Sequence, residues 1–493
     1  MKSIIEILSF LSYTLANEVY RSTYIKDISI DSRFKGLNWC FISYKTPNIN
    51  RNKYILSAIK NGAILILIDS DDDFSEVIPS TDFPIIHIKN IRNKLSKISS
   101  WFYEKPSKKL NVIAVTGTNG KTSVSHLCAQ LLFNCGEKTG ILGTIGNGCW
   151  PNLSESLLTT PDIVSIQRNI AEFNILKVNT IVLEASSHGL YQKRLDGIDI
   201  DIAIWTNLSH DHLDYHENME SYFKAKSSLF KFDSLKYIVI NIDDIYGKRL
   251  INENIVNNNA NLITYSLKYP QADLYFEINH ITDNGYEITV NFKKETYLIK
   301  TPLMGEFNLY NLAASLLSVY ALGIPFNDLI KKIENLSPII GRMQKLNYTN
   351  EPSIIIDYAH TPDALKNALI TLKKHYSKKL WCVFGCGGDR DKSKRSKMAT
   401  IAEQYSDEVI LTEDNNRTEN FYNIINDIEV GFVKNKKYKI IESRLNAIKF
   451  VLDNAKKEDV IFIAGKGHEH YLDKNNEKIY FNEKEIIENL WRQ

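Results

Sequence analysis

Short apolar runs recur along the chain, separated by polar or glycine-bearing loops and by stretches with apolar residues at helical spacing. Residues 4–15 have the spacing of an amphipathic helix, and 64–68 and 84–88 are apolar runs of strand length. Residues 1–108 therefore predict a small N-terminal α/β domain. From 109 to 338, strand-like runs at 111–115, 180–183, 202–205 and 237–240 alternate with helical stretches, which predicts a mostly parallel, helix-covered sheet. Residues 262–303 alternate apolar and polar, the mark of an antiparallel meander. Asn308 reads as the N-cap of a helix over 309–322, with Gly323 as its stop. From 339 to 493, runs at 353–356, 380–384, 408–411 and 460–464 are each followed by a polar or glycine-rich loop and a helix. That predicts a doubly wound, Rossmann-like domain with its ligand at the carboxyl ends of the strands. The fold class is α/β in three domains, the central one of P-loop type.

The central domain opens on its clearest chemistry. Gly117-Thr118-Asn119-Gly120-Lys121-Thr122 lies between strand 111–115 and a helical stretch at 123–133. Unpaired N–H groups and the positive end of a helix face an anion there. Gly117 and Gly120 let the backbone approach closely, Lys121 reaches outer phosphates, and the Thr122 hydroxyl suits Mg²⁺. The standard phosphate loop has a further glycine where Val115 stands, so the match is to its second half.

Further polar clusters follow other strands. Glu184 ends one apolar run, and residues 206–216 follow another with Thr206, Asn207, His210, Asp211, His212, Asp214 and His216. Carboxylate, hydroxyl and imidazole around a phosphate loop suit a metal–triphosphate site. His210-x-His212-x-Asp214 also brings to mind zinc hydrolases, but Tyr215 stands where that pattern needs His, and a phosphate loop has no part in that chemistry. In the first domain Asp31, Ser32 and Arg33 form a turn, with Arg33 free in principle to bind an anion.

Composition narrows the setting. With 44% hydrophobic and 24% charged residues the chain has enough apolar content for packed cores, and a net charge of +2 gives no field favouring nucleic acid or a membrane surface. Six scattered cysteines without a C-x-x-C pair read as reduced thiols. Glu6 and Glu18 spoil a signal peptide, and no apolar run approaches the roughly 18–20 residues of a membrane span. A cytoplasmic monomer, without nucleic acid or membrane insertion, is the expectation.

Together, residues 117–122, Asn207-Leu208-Ser209 with residues 211–216, Gly305-x-Phe307-Asn308-x-x-Asn311, and residues 357–362 resemble the Mur ligases, ATP-dependent amide-forming ligases of peptidoglycan synthesis. Residues 158–161, 184–194 and 465–469 resemble the branch that adds the third stem-peptide residue.

The resemblance implies roles. Gly117, Thr118, Asn119, Gly120, Lys121 and Thr122 would hold the phosphates of ATP. Thr122 and Glu184 would share one Mg²⁺, and His212 would help hold a second. Lys226 falls where the family carries a carbamate formed from lysine and CO₂, an oxygen ligand for Mg²⁺. Lys121, Lys226, His212 and Glu184 would form the catalytic set. Asn308 and Asn311 would face the adenine, Arg342 the phosphates and Asp357 the ribose. Ser32 would contact the uridine part of UDP-N-acetylmuramoyl-L-Ala-D-Glu, and Thr159, Thr160, Ser186, Gln192 and Arg194 its muramoyl-peptide. Arg390, Asp414, Asn415, Asn416, Arg417, Gly465 and Glu469 would take meso-diaminopimelate, with Arg417, oriented by Asp414 and Asn415, on its far carboxylate. The family's diaminopimelate-adding members carry Pro where this chain has Asn416, so L-lysine stays open as the alternative amino acid.

Overall fold

A computed structural model describes all residues except 14–22, 47–48, 71–83, 347, 349–350, 434–437, 476 and 492–493. The chain divides into two compact units, Met1–Thr264 with Leu317–Gly323, and Tyr265–Leu316 with Ile324–Gln493.

Among the described residues the first unit holds two larger sheets, besides the two-stranded pairings of Lys2–Ser3 with Tyr24–Ile25 and of Lys45–Thr46 with Ile49–Asn50. Asp27–Ser29, Trp39–Ser43, Ala63–Asp69 and Ile85–Ile88 pair in parallel, in that order. The apolar runs predict the last two. Trp39–Ser43, buried at every position, and Asp27–Ser29, of three residues, are strands beyond those that the runs at 64–68 and 84–88 predict. The first helix is shorter than its spacing suggests. It spans Ile4–Phe10, opened by a capping box between Ser3 and Glu6, and it ends before Ser12, whose φ is +58°. Positions 14 and 15 of that expectation lie outside the described residues.

The second sheet carries the phosphate loop. Its order in this unit is Asn147–Cys149, Thr139–Leu142, Thr180–Glu184, Asn111–Thr116, Ile202–Trp205 and Tyr237–Asn241. The first pairing is antiparallel, and those from Thr139–Leu142 to Tyr237–Asn241 are parallel. Runs such as 112–115 and 181–183 lie between helical layers and are wholly buried, which is why they read as continuous apolar stretches. The register sets Val115 opposite Glu184 and Thr116 opposite Trp205. Three neighbouring strands thus end together, and their polar successors meet.

In the second unit, Leu274–Thr282, Gly285–Phe292 and Glu295–Thr301 form the expected antiparallel meander. Tyr265 and Ser266 join it in parallel. The helix begins at Glu306, so Asn308 sits inside its first turn, where its Nδ2 donates to the Met304 carbonyl at 2.8 Å. Asn308 is therefore not the N-cap. Gly305, with φ +89°, turns the chain into the helix, and Asn308 N–H already donates to its carbonyl.

The six-stranded sheet of this unit runs Gln344–Leu346, Ser353–Asp357, Val460–Ala464, Leu380–Phe384, Glu408–Leu411, Tyr438–Ile440. All its pairings are parallel except that of the Gln344–Leu346 edge. All six cysteines are free thiols. Among the described residues no helix is long and apolar enough to cross a membrane.

One buried ion cluster braces the loops of this sheet. Arg395, with no exposed surface, donates to both Glu419 oxygens at 2.7 Å, to Asp427 at 2.8 Å and to the Gly387 carbonyl at 3.1 Å. These bonds hold the Glu419 carboxyl down at about 2. A carboxyl lowered on folding stabilises the folded state at neutral pH, and the effect fades as pH falls from the ordinary carboxylate range toward 2. Glu419→Gln is expected to cost about 3 kcal/mol at neutral pH by leaving a buried guanidinium short of its main partner. In denaturant titrations the gap from wild type narrows as pH drops from about 5 toward 3; a constant gap contradicts this account.

Candidate active site

The loop 117–120 is tightly folded onto the strand beside it. Thr118 N–H donates to the Asn207 carbonyl at 2.8 Å, and Asn119 N–H donates to Asn207 Oδ1 at 3.0 Å. Thr206 Oγ1 donates to the Asn119 carbonyl at 2.6 Å and also lies 3.2 Å from the Thr116 carbonyl. Gly117 has φ +149°, and a Cβ there would sit 1.8 Å from Thr206 Oγ1, so only glycine fits. Gly120, with φ +91°, precedes the helix Lys121–Asn134. Lys121 Nζ donates to the carbonyls of Gly117 and Thr118, both at 2.9 Å, so it curls over its own loop.

Glu184 is fully buried at the end of its strand. It accepts from Thr122 Oγ1 at 3.0 Å, from Thr144 N–H at 2.9 Å and from Thr144 Oγ1 at 2.9 Å. Carboxylate and hydroxyl oxygens side by side at the loop fit a hard cation such as Mg²⁺. Among the described residues no three His, Cys, Asp or Glu side chains gather into a metal site of their own. The side chain of Asp214, one member of the His210–His212–Asp214 zinc pattern, lies outside the described residues. His212 has φ +53°, is about half exposed, and pairs with Asp211 at 3.4 Å.

Lys226 lies in the helix Met219–Ser227 and is 1% exposed. Its Nζ donates to the Gly117 carbonyl at 2.7 Å and sits over the Tyr222 ring, 4.8 Å from its centre. Burial first, and the nearby charge of Lys121 second, push its pKa well below the ordinary lysine value. Tyr222 OH lies 3.2 Å from Thr118 Oγ1, so one buried helix touches the loop twice.

A second group of predicted residues stands next to this one. Thr160 Oγ1 donates to the Glu184 carbonyl at 2.6 Å and lies 2.8 Å from Ser186 Oγ. Thr159 Oγ1 accepts from Thr144 Oγ1 at 3.1 Å. Arg194 donates to the Thr160 carbonyl and, through Nε and Nη2, to Gln192 Oε1 at 3.0 and 2.7 Å. Thr144 and Tyr222, absent from the sequence reading, tie the set together. Thr144 could have been found as a polar residue just past the carboxyl end of Thr139–Leu142, the position that marks Glu184 and Thr206. In the turn after Asp27–Ser29, Ser32 is buried, its carbonyl accepting from Asn61 Nδ2 at 2.7 Å. Arg33 is not a free anion binder: its guanidinium grips Asp31 at 2.7–3.2 Å.

The second unit brings together residues that follow four neighbouring parallel strands. Asp357 accepts from Met343 N–H at 2.6 Å, and burial raises its pKa against the pull of Arg342. Arg342 stacks on Tyr358, 4.8 Å from the ring centre, with its Nε buried and without a hydrogen-bond partner among the described residues. Asn311 Nδ2 donates to Asn308 Oδ1 at 3.0 Å. Asp414, Asn415 and Asn416 are buried, whereas Arg390 is exposed. Arg417 is not held by the side chains of Asp414 and Asn415. It donates to the carbonyl of Gly388 at 2.7 Å and of Asn415 at 3.4 Å, with Asp473 3.9 Å from its Nε. The reason is a competitor: buried Lys466 takes up Asp414 and Asn415 instead. Gly465, with φ +116°, passes so close to Asp414 that a Cβ would lie 2.7 Å from its Oδ2. Asn415 Nδ2 donates to Glu469 Oε2 at 2.9 Å, and Tyr358 OH to Glu469 Oε1 at 3.3 Å.

A phosphate loop between parallel strands in one unit, and a doubly wound sheet with polar strand ends in the other, define a nucleotide-handling α/β enzyme. Comparison with known proteins gives the family. Residues 115–319 match the Mur ligase middle domain and 341–467 the Mur ligase glutamate ligase domain. The chain is 41% identical to the UDP-N-acetylmuramoyl-L-alanyl-D-glutamate–2,6-diaminopimelate ligase of Pseudomonas aeruginosa over 92% of both chains. It is 39% identical to the protein of that name from Wigglesworthia glossinidia brevipalpis over 99% of both. A solved structure of such a ligase superposes with a TM-score of 0.69 at 34% identity, covering 98% of each chain. A MurF structure from Acinetobacter baumannii shares the fold at a TM-score of 0.70 and 15% identity. The chain belongs to the Mur ligases.

Removing the loop cation tests the site. Lys121→Ala loses two bonds to carbonyls and is expected to cost about 1–2 kcal/mol of stability. Phosphate release should fall at least ~100-fold if this loop holds the phosphates, because the one cation on the loop is lost. Near-normal turnover with unchanged Mg²⁺ dependence rules out this loop as the phosphate site.

Proposed function

We propose that the chain is the ATP-dependent ligase that joins meso-diaminopimelate to UDP-N-acetylmuramoyl-L-Ala-D-Glu. The whole-length kinship with ligases of that name carries the reading. The reaction begins with attack of the dipeptide's terminal carboxylate on the γ-phosphorus of ATP. The bond to ADP breaks, and an acyl phosphate forms. The amine of diaminopimelate then attacks the acyl carbon, the C–O bond to phosphate breaks, and the amine gives up a proton as the amide forms.

The residues divide this work among three functional domains, 1–108, 109–338 and 339–493. Ser32, Thr159, Thr160, Ser186, Gln192 and Arg194 hold the nucleotide-linked dipeptide. The loop 117–122 and Arg342 hold the phosphates, Asn308 and Asn311 the adenine, and Asp357 the ribose. Lys121 neutralises charge growing on the transferred phosphoryl group. Thr122 and Glu184 would share one Mg²⁺ and His212 would help hold a second, and the ions would supply charge neutralisation to the phosphate oxygens. UDP-linked substrates and ATP are cytoplasmic metabolites, in keeping with a cytoplasmic enzyme.

Lys226 acts as a carbamate. Its buried setting favours the neutral amine. That nitrogen attacks CO₂, an N–H proton leaves to solvent, and the neutral amine beside the loop becomes an oxygen anion. Lys226→Ala should be nearly inactive, and a small carboxylate such as acetate should restore part of the activity. Full activity of the unsupplemented variant sinks the assignment.

Arg417, braced by two carbonyls and Asp473, meets the far carboxylate of diaminopimelate, which lysine lacks. Charge-assisted bonds of this kind are worth roughly 1.5–3 kcal/mol each, and a site built for a polar partner rejects the analogue without it by roughly 10⁴-fold. Asn416 in place of Pro loosens the loop and makes the preference strong rather than absolute. In an amino-acid panel with ATP, Mg²⁺ and the UDP-dipeptide, meso-diaminopimelate should far outpace L-lysine. Arg417→Ala should cut diaminopimelate use far more than lysine use. Equal or better use of lysine by the unmutated protein would falsify the choice of amino acid.

A further inference from the structure

Lys466 has no place in the roles above, yet it is the most enclosed charge among the proposed amino-acid residues, with no exposed surface. It lies between Gly465 and Gly467, just past the strand Val460–Ala464. Its Nζ donates to Asn415 Oδ1 at 2.8 Å and to Glu469 Oε2 at 2.6 Å, and stands 3.6 Å from Asp414 Oδ1. The Tyr471 ring centre is 5.1 Å away. One ammonium thus joins two loops that are more than 50 residues apart in sequence.

These bonds also orient what they hold. Asn415 Oδ1 accepts both from Lys466 and from the Asp473 N–H at 2.9 Å, so its Nδ2 is aimed at Glu469. The Oε2 of Glu469 is bound by Lys466 and Asn415, which leaves Oε1 with the weaker 3.3 Å contact to Tyr358 OH. Two carboxylates, those of Asp414 and Glu469, sit within reach of this single cation. Without it they would repel each other, and the Asn415 amide would lose the bond that fixes its flip.

We propose that Lys466 is a positioning residue for amino-acid recognition. It does not touch the substrate but sets the orientation of Asn415 and the direction in which Glu469 presents Oε1, held only by the longer Tyr358 contact, to the incoming diamino acid. The inference rests on the proposed amino-acid pocket and adds to it the residue that keeps the pocket in shape.

The test uses the full-length protein with ATP, Mg²⁺, UDP-N-acetylmuramoyl-L-Ala-D-Glu and meso-diaminopimelate. Lys466→Met keeps length and removes charge. Its KM for diaminopimelate should rise roughly 10–100-fold, the loss expected for hydrogen bonds to a charged group. The KM values for ATP and the UDP-dipeptide should stay within about twofold, since neither is assigned to these two loops. Lys466→Arg keeps the charge with a different reach and should fall between wild type and Lys466→Met. It carries the test alone if Lys466→Met does not fold. Adding Lys466→Met to Glu469→Gln should raise the diaminopimelate KM little beyond Glu469→Gln alone, because the group to be oriented is already changed. An unchanged diaminopimelate KM in a folded Lys466 variant overturns the proposal, as does an equal rise in all three KM values. Arg417→Ala separates the two readings. If Arg417→Ala raises the diaminopimelate KM and the Lys466 variants do not, the positioning role fails and the pocket stands. If none of them raises it, the pocket is misassigned and the positioning role falls with it.

Discussion

Hydrogen-bond register along one central strand decides where the chemistry of the first unit happens. Asn111–Thr116 pairs in parallel on both sides, and its register sets Glu184 and Thr206 at the same level as the start of the phosphate loop. A slip of one residue would turn every side chain of a neighbour to the opposite face. Glu184 would then point away from Thr122, and Thr206 would no longer brace the loop. The buried apolar residues that flank these positions hold the register, so the packing of Val112, Ala114, Ile181 and Leu183 is what aligns the polar groups beyond them.

The same rule orders the second unit with different groups. Asp357, Gly387, Asp414 and Gly465 all follow parallel strands of one sheet at the same end. There the burden is electrostatic. Burial works against the charged form of Asp414, yet Lys466 and Arg444 outweigh it and keep that carboxyl below its usual range. Arg444 in turn donates to Glu483, the Glu413 carbonyl and the Ala464 carbonyl. Arg444 and Glu483 meet at 2.6 Å, and Lys466 stands 3.6 Å from Asp414, so these buried charges lie beside opposite ones, the condition for ions in a protein interior.

Much of this was legible in the sequence, and the rest was hidden for identifiable reasons. The long apolar runs gave the strands at 111–116, 180–184, 202–205 and 460–464 because burial on both faces leaves a continuous signature. The phosphate loop and Glu184 followed, since their position depends only on local strand ends. Trp39–Ser43 went unread although its apolar residues Trp39 to Ile42 carry the same continuous signature, in a run one residue shorter than that at 460–464. The start of the helix at Glu306 was misjudged because Asn308 has a capping side chain, while the turn is made by the conformation of Gly305. The partners of Arg417 were beyond reach. They depend on Lys466 taking Asp414 and Asn415, a choice made in space between segments far apart in the chain.

Gly117 shows how such closeness shapes the substitutions a lineage can accept. The atom that forbids a side chain there is the hydroxyl of Thr206. In isolation, a change at 206 would have to come before any change at 117. Yet that hydroxyl is also the donor that fastens the loop at Asn119. The permissive first step therefore loosens the feature that the second step would modify. The carbonyl and amide of Asn207 stand within about 3 Å of the same point, so even that step opens little room. The two positions are epistatically locked, and drift at one is closed off by the work of the other.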